Sequence, residues 1–288
     1  MKYNLCFVIN KNYIGQFIVS IVSLFENNKE SFVVHLLNSD LNEEDEKLLT
    51  DIVKKYDCEI VFYKISDEIF SELPKMGYDA GYTAYYKVLI PYELSHLDNV
   101  LYLDCDLVVK GKITDIYEMN RNHVISAVID LNINKNKKEH VLLINKSLDN
   151  LYFNSGVMFF DFKYKDEIPE LDKMIDYIKN NKNDIIWHDQ DILNHFFSGT
   201  CDQLEERYNY ITTYKSLGDL FTKKGLKKAS VVHYANWKPW KRNYIGKAYR
   251  LYLKWYKYSK KNYYPEMNFL KRRNIFSMFK LIMKYILR

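Results

Sequence analysis

Glycine and proline are scarce in this chain, which contains 9 Gly and 5 Pro among its 288 residues. That scarcity excludes a collagen-like or low-complexity protein, and no linker rich in Gly, Pro or Ser divides the chain. Cysteine is also rare and occurs at Cys6, Cys58, Cys105 and Cys201. These positions are too widely spaced for a zinc motif and too few for a disulfide scaffold, so we expect reduced thiols in a cytoplasmic protein.

Long hydrophobic runs are absent as well. No stretch approaches the roughly 20 apolar residues that a membrane-spanning helix needs. The apolar run at the start of the chain is too short for a signal peptide, and we interpret it as part of a first strand. The sequence also lacks a Gly-rich dinucleotide loop, a phosphate-binding Gly-Lys-Ser/Thr loop and a zinc-protease His-Glu pair, which excludes sites built on those motifs.

The composition that remains is that of an ordinary globular domain, with 48% hydrophobic and 27% charged residues. Apolar periodicity predicts strands at 3–9, 32–37, 59–64 and 100–103, and helices at 14–25, 42–55 and 80–89. Such alternation predicts an α/β fold with a mostly parallel sheet. We expect one Rossmann-like domain over residues 1–240 and a tail at 241–288. Residues 132–140 are predicted to form a polar loop, either over the site or elsewhere on the surface.

Two carboxylates, Asp104 and Asp106, follow a strand-like apolar run at residues 100–103. Residues two apart in an extended chain point the same way, so both side chains can reach one hard cation. A cation there would neutralise a bound diphosphate, and ligands of parallel sheets gather beyond the carboxyl ends of the strands. The alternative is a pair of solvated aspartates at a strand-to-loop corner, because Asp-x-Asp alone is short and common.

A second stretch, Tyr152-Phe-Asn-Ser-Gly-Val-Met-Phe-Phe-Asp161, places a turn before another apolar strand. Gly156 allows a ligand to approach the backbone closely, and the amide of Asn154 offers donors and acceptors to sugar hydroxyls. A third stretch, Trp187-His-Asp-Gln-Asp-Ile-Leu-Asn194, sets polar groups before an apolar helix start. Its alternative interpretation is a helix cap made by Asp189 or Asp191.

A fourth stretch is Val231-Val-His-Tyr-Ala-Asn-Trp-Lys-Pro-Trp240. His233 follows two β-branched residues, so it is either a satisfied histidine at a strand end or a metal ligand through a neutral ring nitrogen. The residues alone leave both interpretations open.

Taken together and in this order, the four stretches resemble glycosyltransferase family 8, which holds bacterial lipopolysaccharide galactosyl- and glucosyltransferases and, more distantly, glycogenin. The resemblance covers residues 3–240 and implies a GT-A type fold, a UDP-sugar donor, Mn²⁺ or Mg²⁺, and retention at the anomeric carbon. The implied metal ligands are Asp104, Asp106 and His233. The implied catalytic residues are Asp189 and Gln190, which lie under the donor sugar in the family, and Asp130, near the donor and acceptor sugars.

The same resemblance implies which residues bind the donor. Uridine is expected at Asn10, Asn12 and Tyr13, the donor sugar at Asn154, and the diphosphate at Lys238. The full implied set of donor-binding residues is Asn10, Asn12, Tyr13, Lys87, Asp104, Cys105, Asp106, Asn154, Ser155, His233, Asn236 and Lys238.

Three positions depart from the family pattern. Lys87 stands where members often carry arginine, and a lysine lacks the planar donor fork that would hold a sugar and a phosphate together. Asn10 replaces a carboxylate in the uridine loop. The closing loop with Asn236 and Lys238 is one residue shorter than usual, so it must be drawn more tightly around the diphosphate.

The net charge of +5 conceals a strong asymmetry. Residues 238–288 carry fifteen Lys and Arg against one acidic residue, a net charge of +14, whereas the rest carries 27 basic and 36 acidic residues, a net charge of −9. Apolar side chains recur at helical spacing in the last stretch, at Ile275, Met278, Phe279, Ile282, Tyr285 and Ile286. We expect a helix that binds an anionic membrane rather than nucleic acid; the alternative is a helix packed on the core or on a neighbouring subunit.

The sequence therefore predicts a hexosyltransferase that moves galactose or glucose from a UDP-sugar to a saccharide, glycolipid or glycoprotein acceptor in lipopolysaccharide or surface-glycan synthesis. Gln190 is a poor nucleophile, so we expect electrostatic stabilisation of an oxocarbenium-like state, with Asp189 holding the sugar. The expected location is the inner face of the membrane, in peripheral association. Two alternatives stay open: another enzyme that cleaves a nucleotide diphosphate, such as a hydrolase or nucleotidyltransferase, and a non-enzymatic module that binds membrane or nucleic acid through its basic tail.

Overall fold

The computed structural model describes residues 2–71, 73, 81–212, 224–235, 238–240 and 247–270. The chain divides into two compact units, each assembled from separate stretches. The first unit takes residues 1–12, 30–104 and 114–205, and the second takes 13–29, 105–113 and 206–288. The chain thus passes from the first unit to the second between Asp104 and Cys105, inside the predicted metal-binding stretch.

The strands of the described residues have these bounds: β1 (Tyr3–Val8), β2 (Phe32–Asn38), β3 (Glu59–Lys64), β4 (Asn99–Leu103), β5 (Leu107–Val109), β6 (Ile125–Ile129), β7 (Phe153–Asp161), β8 (Cys201–Gln203), β9 (Tyr210–Ile211) and β10 (Val231–His233). The four strands predicted from the sequence are confirmed as β1 to β4, and no end differs from the prediction by more than one residue. Their apolar side chains account for this agreement, because most of them are buried in the core.

The first unit contains a seven-stranded sheet in the order β3-β2-β1-β4-β7-β6-β8. The strands from β3 to β4 run parallel to one another, β7 is antiparallel to both of its neighbours, and β8 is parallel to β6. The predicted α/β class with a mostly parallel sheet is confirmed. Directly after β4, the backbone N–H of Asp104 donates to the carbonyl of Gly156 at 2.9 Å, which ties the predicted metal stretch to β7.

The α-helices of the described residues are α1 (Ile14–Asn27), α2 (Glu43–Lys54), α3 (Ile90–Glu93), α4 (Leu131–Asn136), α5 (Lys138–Asn145), α6 (Leu171–Asn180), α7 (His188–Phe197), α8 (Lys224–Lys228) and α9 (Lys247–Asn262). The two helices predicted at 14–25 and 42–55 are confirmed as α1 and α2. Helix α2 begins with a capping box between Asn42 and Asp45, which satisfies backbone N–H groups of its first turn.

The predicted helix at 80–89 is a 3-10 helix at Thr83–Leu89 that leads into α3. Six of its seven residues are buried, so buried side chains occur all around the helix and not along one stripe. Apolar periodicity therefore could not distinguish the two types of helix. Ala80 itself lies outside the described residues.

The prediction of a loop at 132–140 is wrong, because the segment belongs to α4 and α5. The carboxylate of Asp130 accepts a hydrogen bond from the backbone N–H of Ile133 at 3.0 Å and so caps α4. Ile133, Val141 and Ile144 then pack with Tyr152 in a small apolar cluster. The abundant Asn and Lys of this segment conceal the apolar positions that fold it.

The second unit contains a three-stranded sheet in the order β5-β10-β9, with β10 antiparallel to β5 and parallel to β9. Helix α9 packs against α1 and buries Tyr249, Tyr252, Trp255 and Tyr256. A Cβ atom placed on Gly15 in α1 would lie 2.5 Å from ring atoms of Phe269, so a larger residue there would displace that ring. Residues 247–270 of the predicted tail are therefore part of this packed unit.

The stripe at residues 275–286, which we expect to bind membrane, lies outside the described residues. Among the helices of the described ranges, none combines the length and the hydropathy needed to traverse a bilayer.

Candidate active site

Lys87 is the buried centre of a charge network in the first unit. Its ammonium lies 2.9 Å from a carboxylate oxygen of Asp104 and 2.9 Å from one of Asp189, and the residue is 7% exposed. Burial alone would lower the pKa of Lys87, but the two carboxylates outweigh burial and raise that pKa above its ordinary value. Lys87 therefore stays charged and joins the end of β4 to the first turn of α7.

The first turn of α7 presents Asp189 and Gln190 to the start of β7. The Ser155 hydroxyl donates to Oδ2 of Asp189 at 2.8 Å. Oε1 of Gln190 accepts hydrogen bonds from Nδ2 of Asn154 at 2.8 Å and from the backbone N–H of Ser155 at 3.1 Å. All four side chains are buried, and their hydrogen bonds hold Asp189 and Gln190 in one arrangement.

Asp191 is fully buried and has a structural role beside this pair. Its Oδ1 accepts hydrogen bonds from Nε2 of His140 at 2.8 Å and from the hydroxyl of Tyr152 at 2.5 Å. Its Oδ2 accepts from the backbone N–H groups of Ile186 and Trp187 at 2.7 and 2.8 Å. The capping interpretation is not confirmed, because α7 has no side-chain cap and the two N–H groups bound by Asp191 precede the helix. Asp191 instead binds the loop before α7 together with α5, whereas Asp189 belongs to the charge network.

Asp104 receives a further contact that the sequence interpretation missed. The Tyr102 hydroxyl donates to Oδ1 of Asp104 at 2.5 Å. Tyr102 precedes Asp104 by two residues, so the alternation that predicted the pairing of Asp104 with Asp106 also places Tyr102 on that side.

Asp106 lies in the second unit and is 3% exposed. Its carboxylate forms an ion pair with Lys238 and lies 3.2 Å from Nε2 of His233. Burial alone would raise the pKa of Asp106, but Lys238 and His233 lower it well below its usual range. Asp106 is therefore ionised at neutral pH.

His233 ends β10 and has its two ring nitrogens in different surroundings. Nδ1 lies 2.9 Å from Oδ1 of Asn209, and an amide oxygen accepts hydrogen bonds only. Nδ1 therefore carries a proton in either charge state of the ring, so Nε2, which lies on the side of Asp106, is the nitrogen that can give up its proton and bind a metal. His233 is thus a hydrogen-bonded histidine at a strand end. Its role as a metal ligand through Nε2 stays a prediction. No sequence signal identified Asn209.

Asp104, Asp106 and His233 each contribute one atom to a cluster in which these atoms lie within 4.8 Å of one another. Carboxylate oxygens are ligands that Mg²⁺ and Mn²⁺ prefer, and an imidazole nitrogen adds affinity for a first-row transition metal. The donor set therefore fits Mn²⁺, with Mg²⁺ as the alternative. Lys238, which forms an ion pair with Asp106 in the second unit, has a side chain that is 29% exposed.

The residues that we expect to bind uridine are held by hydrogen bonds and by one contact between aromatic rings. Nδ2 of Asn10 donates to the Thr83 hydroxyl at 3.2 Å, and its Oδ1 accepts from the backbone N–H of Asn12 at 3.1 Å. The ring of Tyr13 packs edge to face against Trp240 with centroids 6.4 Å apart. Thr83 is a partner that the sequence interpretation missed.

Two further residues that we expect to bind the donor are Cys105 and Asn236. Cys105 is partly buried between the two aspartates. Asn236 lies outside the described residues. Asp130, expected near the sugars, is 7% exposed and caps α4.

A mostly parallel α/β sheet with two carboxylates beyond a central strand is the architecture of GT-A type proteins. The structure matches that of galactosyltransferase LgtC in complex with donor and acceptor sugar analogs, with a TM-score of 0.76 and 21% identity over 88% of this chain and 95% of that chain. The chain belongs to glycosyl transferase family 8, whose family model matches residues 4–244. The resemblance found in the sequence is thereby confirmed.

Curated relatives agree with this family. The lipopolysaccharide 1,2-glucosyltransferase of Escherichia coli is 32% identical over 221 residues, which are 74% of this chain and 64% of that protein. The lipopolysaccharide 1,3-galactosyltransferase of Salmonella typhimurium is 28% identical over 214 residues, which are 72% of this chain and 63% of that protein. The chain thus spans a little under two thirds of the length of these two relatives, and their names differ in the hexose.

Proposed function

We propose that this protein is a metal-dependent, retaining hexosyltransferase that moves galactose or glucose from a UDP-sugar to a saccharide, glycolipid or glycoprotein acceptor. Membership of glycosyl transferase family 8 supports the reaction class. The observation that carries the proposal is the cluster of Asp104, Asp106 and His233, because a departing diphosphate needs its charge neutralised. The names of the relatives favour a role in lipopolysaccharide or surface-glycan synthesis.

The cation would be held by Asp104, Asp106 and the Nε2 atom of His233, and when bound it would supply positive charge to the leaving diphosphate. Lys238 would bind the same diphosphate. Its side chain is the most exposed member of the Asp106 network, so it is the one best able to exchange a carboxylate for a phosphate partner. Asn10, Asn12 and Tyr13 would bind uridine.

Asp189 and Gln190 would act on the donor sugar. Asp189 is held by the Ser155 hydroxyl and Lys87, so its carboxylate is positioned to bind sugar hydroxyls. Gln190 is held by Asn154 and the backbone of Ser155, and its carboxamide is a poor nucleophile. We therefore expect the acceptor hydroxyl to attack on the face that the diphosphate leaves, with these fixed dipoles and charges stabilising an oxocarbenium-like state. Asp130 would contact the acceptor.

Thermal unfolding in the presence of UDP-glucose or UDP-galactose with Mn²⁺ tests the donor and the metal together. A donor at a hundred times its dissociation constant stabilises the folded protein by about 2.7 kcal/mol. EDTA, Asp104→Asn or Asp106→Asn should remove the shift, whereas Asp149→Asn, at an exposed position, should keep it. A shift that survives EDTA and both substitutions would show that the metal site is wrong.

Product analysis separates transfer from other cleavage of the donor. With a saccharide acceptor present, the released hexose should appear on the acceptor with its anomeric configuration retained. Free hexose as the sole product would indicate a hydrolase, and a nucleoside monophosphate attached to a new group would indicate a nucleotidyltransferase. A protein that binds vesicles and consumes no UDP-sugar would instead be a non-enzymatic binding module.

The basic tail completes the proposal. Residues 271–288 would attach the protein peripherally to the anionic inner face of the membrane, close to a glycolipid acceptor. The sequence supports this role through its apolar stripe and through basic residues that each contribute about 1 kcal/mol near an anionic surface.

A further inference from the structure

Large exposed hydrophobic side chains are concentrated in one part of the first unit. Nine are exposed among the described residues, and six of them lie between residues 131 and 151 or at residue 186. These six are Leu131, Leu142, Leu143, Leu148, Leu151 and Ile186. Single exposed apolar residues are common, but a group of six within one short segment and its neighbour is typical of an interaction surface.

The group is carried by a folded support. Helices α4 and α5 turn Ile133, Val141 and Ile144 inward onto Tyr152, so the exposed leucines are the side chains that this small core leaves outside. Trp187 packs against the same core, and its ring meets that of His140 edge to face with centroids 4.6 Å apart. Ile186, the neighbour of Trp187, is thereby fixed beside α5. We call this surface the α4–α5 face.

The charge of this face indicates which kind of partner it can bind. Four exposed lysines lie in the same segment, at Lys135, Lys137, Lys138 and Lys146, against two acidic residues, Glu139 and Asp149. The segment is therefore net basic, whereas the chain before the tail is net acidic. Exposed leucines interleaved with lysines on short helices are the composition of surfaces that bind at a lipid interface.

We infer that the α4–α5 face docks on an anionic lipid bilayer, with its leucines in the interface and its lysines at the lipid phosphates. This surface is distinct from the tail, and it begins at the residue after Asp130. Since Asp130 is proposed to contact the acceptor, docking here would bring a lipid-linked acceptor to the site. That last step rests on the proposed function, whereas binding to lipid does not.

Vesicle sedimentation of the full chain tests this inference without donor or metal, so its outcome is independent of the glycosyltransferase proposal. Leu142→Gln/Leu143→Gln should raise the dissociation constant for phosphatidylglycerol-containing vesicles by about tenfold, because two half-exposed leucines lose apolar burial. The matched control is Val61→Gln/Ile69→Gln, which changes side chains of similar exposure, 41% and 42%, elsewhere in the unit. The control should bind like the parent.

Hydrogen exchange supplies a second measurement in which the tail is identical in every sample. Anionic vesicles should slow exchange of amides in 138–148, and phosphatidylcholine vesicles should not. Leu148→Gln, in the loop after α5, should weaken binding independently of any effect on that helix. The inference is overturned if both double variants bind vesicles equally, or if light scattering shows that the face joins two copies of the chain.

Discussion

The ammonium of Lys87 lies 2.9 Å from a carboxylate oxygen of Asp189, and both side chains are less than a tenth exposed. This pair joins the 3-10 helix before α3 to the first turn of α7, and the same ammonium also holds Asp104. One lysine therefore fixes a proposed sugar-binding carboxylate and a proposed metal ligand at once. A lysine binds both as a point charge, where an arginine would offer a planar fork.

Lys87→Met should lower the free energy of unfolding by about 3–5 kcal/mol, because it leaves the buried carboxylate of Asp189 and the partly buried one of Asp104 without their partner. Chemical denaturation followed by circular dichroism measures this change. Lys2→Met is the matched control, since Lys2 pairs with Glu59 where both side chains are about half exposed or more, and its loss should cost less than about 1 kcal/mol. Equal losses in the two variants would contradict the role of Lys87.

Lys87→Arg should keep most of the stability and is the more informative test of function. Its fork can bind a carboxylate through two parallel hydrogen bonds, so it should alter the relative binding of UDP-glucose and UDP-galactose. Calorimetric titration of both donors with Mn²⁺ measures this. If the relative affinity for the two donors is unchanged, Lys87 does not determine which hexose is bound.

Asn209→Leu should weaken Mn²⁺ binding by about 10–100-fold, because it removes the acceptor that holds the proton of His233 on Nδ1. Electron paramagnetic resonance of free Mn²⁺ measures the affinity without any donor. Asn145→Leu is the control, since Asn145 is similarly buried and donates to the carbonyl of Asn150 in the other unit. If the parent binds Mn²⁺ and Asn209→Leu binds it equally well, Asn209 has no positioning role.

His35 should make stability depend on pH. Burial, with a contribution from His96, lowers the pKa of His35 from 6.5 to about 4, and its neutral ring accepts from the Tyr63 hydroxyl while it donates to Asn4. Between these two pH values the unfolded chain binds a proton at His35 and the folded chain does not. The free energy of unfolding should therefore fall as pH drops from about 6.5 to about 4. Denaturation curves of His35→Gln should show a smaller fall; parallel curves would refute the assignment.

Removal of residues after Leu270 should weaken binding to anionic vesicles and should reduce its dependence on salt, while turnover on a soluble acceptor is kept. The cut belongs after Leu270 because Met267 is buried and Phe269 packs on Gly15. A chain that ends at Tyr264 should be less stable for that reason. Loss of turnover in the chain ending at Leu270 would favour a tail that completes the core.

The features that depend on residues close together in the chain could be predicted from the sequence. Strands β1, β2 and β4 could be placed because most of their side chains are apolar and buried, whereas β3 was placed by its apolar run although none of its residues is buried. The pairing of Asp104 with Asp106 follows from strand alternation. The contact of His233 with Asn209 spans 24 residues and has no periodic signal. Asp189 and Asp191 are equivalent in sequence, and only the fold gives one to Lys87 and the other to His140. The helices α4 and α5 were missed because Asn and Lys outnumber their buried side chains.

The contact between Gly15 and Phe269 joins residues that lie more than two hundred positions apart in the chain. Helix α1 is translated before α9, and twelve of its fourteen residues are buried in the finished fold. Its partner α9 leaves the ribosome more than two hundred residues later. We expect the contact between α1 and α9 to form only after α9 has been synthesised, so the apolar side chains of α1 stay without this partner until then. Stalled nascent chains that already protect α1 from proteolysis before α9 emerges would contradict this order.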